Sequence, residues 1–297
     1  MQKTEIKNLL KQNNISALKS FGQNFLTSQT AIDKVIEASS ITLTDTIVEI
    51  GPGLGSLTLE IAKKAGKVIA IEKDRKLFEI LKESLKASGI KNVSLVNDDA
   101  FNFQFPIFNF QSNPDFQFSN YKVVANLPYN IAVAVVMKFL TSNNPPQAMV
   151  VMLQKEVAQR IVATPPKANK LAVFCQLYST PKIIDYIPST AFYPKPKVDS
   201  AILELIPCCR YPILGSPKNR IPTTLAILEQ IINTGFSHPR KTLLNNFVRG
   251  LGSYNLSKES VVEWIKNAGL DPSQRPQTLT IHNWLTLAKT LKTFHNN

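Results

Sequence analysis

Cysteine and histidine are scarce, with three of each in 297 residues. Cys208 and Cys209 are adjacent, Cys175 stands alone, and no C-x-x-C pair occurs, which argues against a disulfide framework or zinc ribbon and for free thiols in a reducing compartment. His238, His282 and His295 lie too far apart for zinc-type spacing, so no metal site is expected. No run of 18 apolar residues occurs, and the N-terminal MQKTEIKNLLKQ lacks the apolar centre of a signal peptide. The expectation is a cytoplasmic protein with no membrane partner. Acidic residues are thin in the back half: residues 122–297 hold 20 Lys/Arg against 8 Asp/Glu, whereas residues 1–121 hold 14 against 13. Of the net charge of +13, +12 therefore belongs to the second half, and a polyanion such as nucleic acid is the first partner class to consider, an acidic membrane surface the second.

What is present is a 44% hydrophobic chain with alternating strand and helix patterns. Thr46–Ile50, Val68–Ile71, Val93–Val96, Tyr121–Ala125 and Ala148–Leu153 are short β-branched or continuously apolar runs, separated by segments of helical spacing. Such alternation implies an α/β fold with a doubly wound parallel sheet. Ser20 to Leu26 is expected to be a loop. Residues 101–121 hold seven phenylalanines among Asn, Gln and Pro without regular period, an insertion that either packs on the domain or contacts a base. A stretch rich in Pro, Gly and Ser spans 207–222. Beyond it, Thr223–Thr234, Thr242–Leu251, Ser257–Ala268 and Ile281–Phe294 repeat apolar residues near 3.6. Two domains are expected, residues 1–207 and 208–297.

Two stretches carry chemistry. Gly51-Pro52-Gly53-Leu54-Gly55 follows the first strand directly and precedes a helix, so backbone N–H groups can approach a ligand where no Cβ intervenes. Alone it is equally a structural turn. Glu72, at the end of the next strand, stands at the distance from these glycines at which an acid meets a ribose, and Asp99 beyond the third strand could accept from an adenine amine. No second phosphate-binding half follows, which favours S-adenosylmethionine over a dinucleotide. Asn126-Leu127-Pro128-Tyr129 ends the fourth strand with an amide, a rigid turn and a ring. The Asn126 side chain and the Leu127 carbonyl can face one exocyclic amine while Tyr129 offers a stacking surface. By itself the stretch is also an ordinary strand-to-helix turn.

The segments FGQNFL, VEIGPGLGSLT, IEKD, DDAF, NLPYNI, LQKEVAQRI, FYPKPKVDSAIL and GFSHPRKTLLNN, in that order, resemble the ribosomal RNA small-subunit adenine dimethyltransferase family over nearly the whole chain. The resemblance implies a Rossmann-like, class I S-adenosylmethionine-dependent methyltransferase domain with a small C-terminal helical domain. It implies N6,N6-dimethylation of two adjacent adenosines in the 3′-terminal hairpin loop of 16S rRNA, by a monomer acting on the immature 30S subunit. It sets Asn24, Leu26, Gly51, Gly53, Glu72, Asp99 and Asn126 around S-adenosylmethionine. Asn126, Leu127, Pro128 and Tyr129 then face the target adenine, with Phe192 packing on the base. Three departures stand out: the long insertion at 101–121, no tyrosine-glycine pair at Ala168–Leu171, and His238-Pro239-Arg240 where a more basic run is usual.

Adenine N6 is a weak nucleophile because its lone pair is delocalised into the ring. Accepting both N–H bonds would favour a pyramidal nitrogen, with positioning and electrostatics supplying most of the catalysis. Lys195, Lys197, Arg240, Lys241 and Arg249 are each as well explained as solvated surface charges; only their aggregate favours RNA.

Overall fold

A computed structural model of the chain describes residues 3–13, 23–102, 121–207, 222–251, 254 and 256–295. The greater part of the insertion and of the linker, with Cys208 and Cys209, lies outside them. Among the described residues no helix is long and apolar enough to cross a membrane.

The chain packs as two compact units, one comprising residues 1–158 and 181–207, the other residues 159–180 and 208–297. In the first, helix α1 (Lys3–Gln12), strand β1 (Phe25–Leu26) and helix α2 (Gln29–Ser39) precede the alternation. There follow β2 (Thr46–Ile50), α3 (Thr58–Ala62), β3 (Lys67–Glu72), α4 (Arg75–Ala87), β4 (Val93–Asn97), β5 (Tyr121–Asn126), α5 (Ala132–Leu140) and β6 (Ala148–Gln154). Helices α6 (Lys155–Ile161) and α7 (Lys170–Tyr178) precede β7 (Ser179–Ile187), β8 (Phe192–Tyr193) and β9 (Ser200–Pro207).

Seven strands form one sheet in the order β4-β3-β2-β5-β6-β9-β7. Pairing is parallel from β4 to β6, and β9 joins β6 antiparallel with Ser200 opposite Gln154. Helices connect the parallel strands because a parallel pair needs a crossover, and burial on both faces explains the near-continuous Val/Ile/Met runs. One face meets α2 and α3 through Ile32, Val35, Ile61, Ile47, Val124 and Ile202. On the other, the Tyr121 and Phe139 rings lie 6.4 Å apart, seating α5. Strand order reverses between β2 and β5, and open α/β sheets bind ligands at such a switch point.

One local expectation is corrected. The segment expected as a loop before α2 ends in a strand: Phe25 and Leu26 pair antiparallel with Tyr193 and Phe192. A two-residue strand carries no periodicity, so only its distant partner reveals it. Helix α2 is capped by Ser28, whose hydroxyl accepts from the Ala31 N–H.

The second unit contains α7, α8 (Pro222–Gly235), α9 (Leu243–Gly250), α10 (Lys258–Asn267) and α11 (Ile281–His295). Helices α8 to α11 match the helical segments expected from apolar spacing to within a residue or two. Trp264 and Trp284 are fully buried at its centre, with the Phe247 ring 4.9 Å from Trp264 and the Phe236 ring 5.3 Å from Trp284. Asn169 caps α7 by accepting from the Ala172 N–H.

Candidate active site

The turn after β2 takes three residues into positive φ, and each is glycine: Gly51 at 66°, Gly53 at 60° and Gly55 at 86°. At Gly51 a Cβ would stand 3.5 Å from the Pro128 ring, and at Gly53 one would press to 3.2 Å on the Phe25 ring. Positive φ reserves these positions for glycine, and at Gly53 the missing Cβ also lets the Phe25 ring approach closely. Between the glycine turn, the Asn126–Tyr129 segment and the Phe25 strand lies a cavity of about 240 Å³. Asn24, Leu26, Gly51, Gly53, Glu72, Asp99 and Asn126 to Tyr129 all line it.

Each acid reaches it from the end of a strand. Glu72 is 6% exposed and accepts the Gly53 N–H on one oxygen (3.0 Å) and the Asp74 N–H on the other (2.8 Å), so it braces the glycine turn. Burial pushes its carboxyl up from the usual range. Asp99 is held below that range, chiefly by the Lys73 ammonium 2.8 Å away, while its second oxygen accepts the Phe101 N–H. Lys138 donates to the Ala100 and Phe101 carbonyls at 2.7 and 2.8 Å, fixing the turn that presents Asp99.

Glu49 had no role in the sequence reading, yet it is the most perturbed carboxyl of the site. It is 1% exposed, lines the cavity beneath the glycine turn, and one of its oxygens has no hydrogen-bond partner. Burial, with the neighbouring Glu72 charge adding to it, pushes its pKa up to about 8. The Thr58 hydroxyl lies near enough to ease ionisation a little, but neither it nor the Ser56 hydroxyl finds a partner of good geometry. Three orphaned polar atoms therefore surround one turn. An acid interrupting an otherwise apolar β-run just before the glycines was the available signal.

Opposite the acids, β5 ends at Asn126. The Leu127 N–H continues the ladder to the Met152 carbonyl (3.0 Å) and the Ile131 N–H returns to Pro128 (3.1 Å), pinning the Leu127 peptide from both sides. The Asn126 amide donates Nδ2–H to the Asn24 carbonyl at 3.1 Å. That bond fixes the amide's sense, leaving Oδ1 as the side chain's acceptor. Tyr129 shares a 2.7 Å hydrogen bond with Ser200, and burial raises its hydroxyl pKa.

Phe192 is placed differently from expectation. It is 1% exposed and sits in the core with Leu26, Ile187 and Ile202, away from the cavity wall. It pairs with Leu26, so it supports the strand that follows Asn24 and lies buried instead of on the cavity wall. Lys195 and Lys197 are exposed on their loop, and in the helical unit Arg240 and Arg249 are exposed and Lys241 half-buried. No group of three or more His, Cys, Asp or Glu among the described residues could hold a metal ion.

Residues 14–293 match the family described as ribosomal RNA adenine dimethylase. A ribosomal RNA small subunit methyltransferase A of Dehalococcoides mccartyi is 37% identical over 285 residues, 95% of this chain and 91% of that protein. Its counterpart in Moorella thermoacetica is 37% identical over 96% of each chain. Among solved structures, a dimethyladenosine transferase from Plasmodium falciparum superposes with a TM-score of 0.74 at 24% identity, covering 91% of this chain and 98% of that one. The 23S rRNA methyltransferase ErmE gives 0.67 at 23% identity, covering 91% and 100%; both likenesses attest to the fold. With its cavity at the switch point of a seven-stranded sheet and its sequence matched nearly end to end, the chain belongs to the ribosomal RNA adenine dimethylase family.

Proposed function

We propose that this protein transfers methyl groups from S-adenosylmethionine to N6 of two adjacent adenosines in the 3′-terminal hairpin loop of small-subunit (16S) rRNA. The product is N6,N6-dimethyladenosine, formed in the cytoplasm by a monomer acting on the immature 30S subunit. The observation that carries this reading is the Asn126 amide, locked through Nδ2 to the Asn24 carbonyl on the rim of an acidic, glycine-lined cavity.

The cavity suits S-adenosylmethionine. Gly51 and Gly53 leave the room that a Cβ would fill, and the partnerless oxygen of buried Glu49 leaves a polar atom for a ligand to pair with. Glu72 has lone pairs beyond those used by Gly53 and Asp74, enough to accept from a ribose. Asp99, ionised beside Lys73, can accept from an adenine amine. Asn24 and Leu26 close the side formed by β1. When bound, the cofactor supplies an electrophilic methyl on a sulfonium.

Asn126 Oδ1 and the Leu127 carbonyl then accept the two N6–H bonds of the target base. This draws the amine lone pair out of conjugation and aims it at the cofactor side of the cavity. Pro128 holds the two acceptors in register, and Tyr129 stacks on the base with its ring oriented by Ser200. The proton leaves to solvent after each transfer, so no side-chain base is needed.

Small-subunit particles lacking the modification, incubated with the protein and S-adenosylmethionine, test this by mass spectrometry of the RNA. The expected result is two adjacent N6,N6-dimethyladenosines near the 3′ end. Modification confined to large-subunit RNA, or none, would reject the assignment.

A further inference from the structure

Beyond Tyr129 the sheet extends outward through β9 to β7, and the end of β7 carries groups the cavity does not use. Tyr186 is 43% exposed, and Ile184 and Lys182 are exposed on the same face by alternation. The Lys155 ammonium lies 5.0 Å from the Tyr186 ring centroid. This pair is tied through the start of β9 to Tyr129, which lines the cavity. The Lys155 N–H donates to the Asp199 carbonyl (2.9 Å), the Ser189 N–H donates to the Asp199 carboxylate (2.9 Å), and the next residue, Ser200, holds the Tyr129 hydroxyl. Of the nearby acids, Asp185 points to the opposite face of β7 and is paired with Lys34, while Asp199 is engaged by Ser189. Lys182, about 13 Å back along the strand, continues the positive charge.

We propose that Tyr186 and Lys155 form a stacking subsite for the RNA nucleotide flanking the target adenosine, the ring taking the base and the ammonium its phosphate. The inference rests on the reading of the cavity as an adenosine N6-methyltransferase site. Two adjacent adenosines can be methylated in turn only if the strand shifts by one nucleotide, and a ring outside the cavity gives the displaced base somewhere to stack. Single-stranded loops are recognised in this way, by aromatic rings with a cation beside them. The positive charge excess of the second half favours a polyanion such as RNA over a basic or neutral partner.

The test uses the full-length protein and a hairpin oligoribonucleotide with two adjacent loop adenosines, one flanking position replaced by 2-aminopurine on either side in two versions. Binding of wild type and Tyr186→Phe should quench the fluorescence of one version, and Tyr186→Ala should abolish that quenching. With unmethylated small subunits, Tyr186→Ala should raise KM about tenfold, the loss of one base stack, and Lys155→Gln roughly threefold, with kcat changed less than KM. Affinity for S-adenosylmethionine should stay at the wild-type value. Absence of quenching in the wild type, or Tyr186→Ala with wild-type quenching and KM while methylation proceeds, overturns the subsite and leaves the proposed function standing. A wild type that methylates no adenine N6 overturns both.

Discussion

Two turns bury polar side chains beside a helix, one in each unit, and they treat those side chains in opposite ways. In the helical unit Asn246 is fully buried and fully satisfied. Its Nδ2 donates to the Gly235 and His238 carbonyls, and its Oδ1 accepts from the His238 N–H and the Ser237 hydroxyl. Beneath the glycine turn Glu49 is as deeply buried, yet one of its oxygens, Ser56 and Thr58 go without partners. A satisfied buried polar group holds a fold together, whereas a cluster of orphans costs stability and persists where a ligand completes it. By this comparison the GFSHPRKTLLNN segment contributes Asn246 as a structural anchor, and VEIGPGLG contributes unpaired groups that the proposed cofactor would complete.

The largest test of the contrast is pH. Glu49 is near 8 when folded against an ordinary value of 4.5, so the folded state holds the extra proton between these limits. Its contribution is fully present below pH 4.5 and lost as pH rises to about 8, by roughly 5 kcal/mol at most. Glu49→Gln should flatten the stability profile in that window, and denaturant unfolding at pH 5 and pH 8 reads it directly. An unchanged slope would show that the carboxyl is not desolvated as described.

Asn246→Ala should destabilise the helical unit by about 2–4 kcal/mol, since two carbonyls and an N–H lose their partner, while cofactor affinity is retained. A loss below about 0.5 kcal/mol, the ordinary surface range, would remove the contrast. Calorimetry on Glu72→Ala should show S-adenosylmethionine affinity weakened by roughly 1–3 kcal/mol, the worth of a hydrogen bond to a charged group; equal affinity would sink the ribose assignment. The smallest effect belongs to Tyr129→Phe, where losing the bond to Ser200 should lower stability by about 1 kcal/mol and shift the urea midpoint with the m-value unchanged.

Much of this was legible in the sequence, for identifiable reasons. Continuous apolar runs announced the parallel strands and 3.6-residue spacing the C-terminal helices, because both periods follow from backbone geometry alone. The glycine turn, Glu72, Asp99 and Asn126 stood at strand ends, where this topology collects them at one place. What stayed hidden depends on pairing across the chain. The β1–β8 pairing joins residues more than 160 apart in sequence, and with it come the meeting of Asn24 with Asn126 and the burial of Phe192. Passage of residues 159–180 into the second unit leaves no compositional mark. Glu49 was readable only as an acid in an apolar strand, and its orphaned oxygen emerges from the packing around it.

In the proposed function Asn126 acts on the target amine in the transition state and not on the cofactor. Single-turnover methyl transfer to adenine N6 in unmethylated small subunits, at saturating S-adenosylmethionine, measures this directly in Asn126→Ala. The rate should fall by on the order of 10²-fold or more while the cofactor Kd changes little. Transfer at the wild-type rate, or a loss accounted for entirely by weaker cofactor binding, would contradict it.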